Sequence, residues 1–132
     1  MRHHRELFEN VRKRTGMYVV PETYEMVAAF VFGYDCACEG GLLAGFREWL
    51  VLRLDGGANL AWPGLVLDVA FPRSKDRASR ELSRSAKAQR HAIDTLFTLI
   101  DEFDSVRAEH DGLKDIYVRY DRWQAEQAAR PV

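Results

Sequence analysis

Apolar residues recur three and four positions apart in one segment of this chain after another, and most of these runs end at a glycine. The spacing gathers the apolar residues on one face of a helix, and a glycine just past the last turn takes up the backbone geometry that stops it. A chain patterned this way is built of amphipathic helices, which must bury their apolar faces against one another.

Leu7, Phe8 and Val11 mark a first helix, closed by Thr15-Gly16, with Arg12, Lys13 and Arg14 at the end where the helix dipole favours cations. Val27, Phe30, Val31, Tyr34 and Cys38 trace a second, with Glu22, Thr23 and Glu25 suited to its start and Gly40-Gly41 to its end. Leu43, Phe46, Leu50 and Leu54 form the stripe of a third, with Trp49 beside it. Gly45 falls inside that pattern, and since a helical glycine costs about 1 kcal/mol relative to alanine, a close backbone contact is expected there.

Trp62 to Phe71 reads two ways. Leu65, Leu67, Val69 and Phe71 alternate as in a strand, while Trp62, Leu65, Val66 and Val69 fit a helix with Pro63 near its start. A lone strand would have nothing to pair with, which favours the helix. Ile93, Leu96, Phe97, Ile100 and Phe103 predict a strong helix, and Leu113, Ile116, Tyr117, Tyr120 and Trp123 predict another after Gly112. The expected fold is all-α: a single compact helical domain of about five or six helices over residues 1–132, with a polar basic connector at about 73–85.

A formal net charge of −1 gives no global attraction to nucleic acid or anionic lipid. No apolar run approaches the ~20 residues of a membrane span, and the first ten residues lack the apolar core of a signal peptide, so a cytoplasmic protein is expected. Charge is nevertheless segregated. Between Arg73 and Arg90 seven basic residues stand against two acidic ones, with serines able to add phosphate contacts but no aromatic for base stacking. Asp101, Glu102, Asp104, Glu109, Asp111 and Asp115 crowd the last two helices, where they fall on polar positions and predict a solvated acidic face.

No assembled catalytic group is evident. His3 and His4 are expected at a frayed terminus, His91 at the start of a basic helix and His110 at a helix end beside Asp111. Cys36 and Cys38, two apart on a helix, point roughly 200° away from each other and so neither chelate one metal nor pair easily. No catalytic residue, metal or cofactor is expected; an enzyme built around Tyr34, Asp35 and the cysteines would require a deep pocket.

Arg12-Lys13-Arg14 and Gly16-Met17-Tyr18 resemble the N-terminal segment of the DNA gyrase B subunit, which has a proline where Thr15 stands here. The likeness stops there: the family's Asp-Asn pair on a helix, Asp-x-Gly-x-Gly turn and glycine-rich lid do not follow, so it does not carry over an ATPase. A longer pattern runs from basic-x-Gly-Met-Tyr through "FGYD" and "GFREWL" to "LFTLIDEF". It resembles a group of small bacterial proteins, some encoded beside polymorphic toxins as immunity proteins. That resemblance implies a stoichiometric protein partner, such as a toxin, and no catalysis.

The expected function is therefore non-enzymatic protein binding, of immunity or regulatory type. Tyr18, Tyr24, Arg73, Arg77, Arg80 and Arg84 are the candidate contacts, since exposed aromatic and arginine side chains anchor interfaces. The alternative is a small nucleic-acid-binding or regulatory protein using Arg73–Arg90. Within "TGMYVV", Met17 and Val19 or Val20 are expected in the core, with Tyr18 at its edge.

Overall fold

The computed structural model of the chain describes residues 3–72, 82 and 85–131. Among them run α1 (His3–Lys13), a 3-10 turn (Thr15–Met17), α2 (Tyr24–Ala37), α3 (Phe46–Leu54), α4 (Trp62–Ala70), α5 (Ala86–Ala108) and α6 (Gly112–Ala129). The described residues hold no strand, and the architecture is all-α. The ambiguous Trp62 segment is a helix with Pro63 in its first turn, where a missing N–H goes unneeded.

Helix α5 is the axis, and α1, α2, α3, α4 and α6 all pack on it. Its 23 residues span about 35 Å. Ile93, Leu96, Phe97, Ile100 and Phe103 are buried, as their spacing predicts, and Ser85 caps its start by accepting from the Ala88 N–H at 3.0 Å. Two aromatic clusters fill the core. Phe46 meets Trp49, Trp62 and Phe103, while Phe8 meets Tyr34 and Phe97.

Two glycines set the joints. Gly45 is not inside α3 as expected but is its N-cap, at φ 89°, and a Cβ there would stand 2.5 Å from Leu113 Cδ1 on α6. Leu42 and Leu43 are buried from the loop ahead of it. At Gly112 a Cβ would lie 2.2 Å from the Val106 carbonyl oxygen, so only glycine lets α6 leave so close to the end of α5.

Arginines lash the loops to these helices. Arg47 donates to the Leu60 carbonyl at 2.9 Å, to that of Ala58 and to the Tyr120 hydroxyl; Arg107 donates to the carbonyls of Gly41 and Leu42, each at 2.7 Å.

The structure corrects several expectations. Met17 is exposed, whereas Val19 enters the core as expected and Val20 stays outside. The 3-10 turn after α1 spends its inward position on Thr15, whose hydroxyl donates to the Val11 carbonyl at 2.7 Å, and this leaves Met17 outside. Tyr117 is 40% exposed and not on the buried face of α6. Of the polar connector, only Leu82 and Ser85 belong to the described residues.

Candidate functional site

Helix α2 carries apolar residues on every side. Tyr24, Val27, Ala28 and Val31 face the core, where Thr23 caps the helix by accepting from the Met26 N–H at 3.3 Å. The opposite face carries Met26, Ala29, Phe32, Gly33, Cys36 and Ala37, all exposed, with Glu25 as the charged residue among them. A helix hydrophobic all round is normally a buried one. Here Phe32 is 56% exposed and a Cβ added at Gly33 would meet no atom within 4 Å.

Apolar side chains are also exposed in the turn ahead of the helix. Tyr18 packs edge-on against Phe30 with ring centroids 6.1 Å apart, and Met17 and Val20 stand out beside it. On the other flank a groove of about 430 Å³ separates α2 from α4. Ala28, Ala29 and Phe32 form one wall and Pro63, Gly64 and Leu67 another, and Leu82 also lines it. Tyr24 braces it from within: its hydroxyl donates to the Pro63 carbonyl at 2.7 Å and its backbone N–H to Gln89 Oε1 at 2.6 Å. Burial pushes the Tyr24 phenol far above its usual range, so it stays a neutral donor.

The site residues expected from sequence are thus divided. Tyr18 lies on the exposed surface, 38% accessible. Tyr24, expected as an exposed anchor, is buried, because the start of α2 turns it toward α4 and gives its hydroxyl a carbonyl to bond. Arg73, Arg77, Arg80 and Arg84 lie outside the described residues. Arg90, the last of the basic run, donates to Asp94 at 2.9 Å and to Thr15 at 3.1 Å. Burial alone would raise the Asp94 carboxyl, but the hydrogen bonds and charges of Arg90 and then Arg12 outweigh it and hold it below the usual range.

Sequence reasoning missed Met26, Ala29, Phe32 and the groove, although the signal was there. From Thr15 to Phe46 the chain has no Lys, Arg or His, and its charges are Glu22, Glu25, Asp35 and Glu39.

His4 overturns the expectation of a frayed terminus. It is buried, and its Nε2 lies 2.7 Å from Oδ2 of Asp104, itself buried and not on a solvated face. A carboxylate only accepts, so Nε2 carries the proton and donates. His4 also packs edge-on against Phe8, and its Nδ1 has no partner among the described residues. Asp101, one turn before, has its carboxyl raised by burial and by the charge of Asp104.

The remaining polar candidates are engaged locally. His91 Nε2 bonds the Ala70 carbonyl at 2.9 Å, and His110 is fully out in solvent beside Asp111. Tyr34 packs on Phe8, Asp35 accepts from the Leu43 N–H at 2.9 Å, and both cysteines are free, Cys36 exposed and Cys38 partly buried.

Among the described residues no group of His, Cys, Asp or Glu is placed to hold a metal, and no helix is long and apolar enough to cross a membrane. Comparison of the chain with protein-family profiles, with curated proteins and with solved structures gives no match.

Proposed function

We propose that this chain is a non-enzymatic protein-binding module, of immunity or regulatory type, that acts by covering a partner protein. The observation that carries the reading is the outward face of α2, where Phe32 is 56% and Met26 38% exposed, with Met17, Tyr18 and Val20 exposed in the turn ahead of the helix. Large apolar side chains grouped on an exposed helix face suit an interaction site. The buried His4–Asp104 pair fits the same reading, since both side chains are only 6% exposed and offer a substrate no approach.

The test is affinity purification of the chain from its own cells at low and at moderate salt, with mass spectrometry and a nucleic-acid assay on the eluate. One dominant protein retained at moderate salt is the expected result. Nucleic acid that is lost steeply as salt rises, with no protein retained, would overturn the reading in favour of a nucleic-acid binder using Arg73–Arg90.

A further inference from the structure

We draw no further inference here: the strongest candidate, the outward apolar face of α2 with the groove toward α4 that Leu82 also lines, carries nothing because nothing in the structure shows what covers it.

Discussion

Replacing His4 by leucine is expected to destabilise the fold by about 3 kcal/mol. The substitution leaves the Asp104 carboxylate buried without its partner. The nearest substitute is Arg5, whose Nε is 3.9 Å from Oδ2 on a side chain that is 59% exposed, too distant for a hydrogen bond as it stands. Leaving a buried acceptor without its donor costs roughly 1–3 kcal/mol, and more for a carboxylate, while some movement of Arg5 toward the gap holds the total at about 3 kcal/mol. For a chain of this size that is a fall in Tm of about 9–15 °C.

The double variant His4→Leu, Asp104→Leu discriminates the cause. With both polar groups gone nothing buried is left unpaired, and its stability is expected within about 1 kcal/mol of wild type, well above that of either single variant. Urea unfolding at pH 7, followed by helical circular dichroism, gives all four free energies. Amide exchange adds the location: α1 should open in the single variants before the helices that do not touch it. A His4→Leu chain within 0.5 kcal/mol of wild type, or a double variant as unstable as the sum of the singles, would refute the reasoning.

Three further outcomes are expected. Gly112→Ala should cost about 2 kcal/mol by urea unfolding, because its Cβ meets the Val106 backbone oxygen, which cannot turn aside as a side chain would. Asp101, with its carboxyl raised, holds its proton more readily folded than unfolded, so stability falls as pH rises from about 4 through the raised value; Asp101→Asn should remove that slope and gain up to about 0.5 kcal/mol at neutral pH, read from unfolding at several pH values. Met26→Ser with Phe32→Ser should leave stability within about 0.5 kcal/mol while lowering the fluorescence of an apolar dye bound to the folded chain.

Helical periodicity made the elements legible. It fixes a helix's existence wherever a stripe of large residues persists, as in Ile93, Leu96, Phe97, Ile100 and Phe103. It is weaker at ends and at turns. Gly45 continued the pattern of α3 on paper yet serves as its cap, because Leu42 and Leu43 reach the core from a loop. Met17 falls outside for a similar reason: a 3-10 turn changes the angular step, and the inward position goes to Thr15. The His4–Asp104 contact joins residues 100 apart, so no local pattern announces it, and each partner alone reads as a surface residue. The surface on α2 is hidden differently, because the stripe of Val27, Phe30, Val31 and Tyr34 accounts for the buried face and leaves unasked which way the other apolar residues point.

That question separates what folding asks of α2 from what it does not. Tyr24, Val27, Ala28 and Val31 already satisfy the helix's demand for a buried face. Phe32 and Met26 point the other way, where their side chains add little to stability and expose the chain to association. Full burial of a side chain such as Phe is worth roughly 1.5–3 kcal/mol, a gain that most of Phe32 leaves unrealised in the free chain. A protein with 30% charged residues has ample polar side chains for an ordinary surface, yet this helix places Glu25 alone among six apolar or small neighbours. The deficit is local, and an apolar face of that kind gains from being covered.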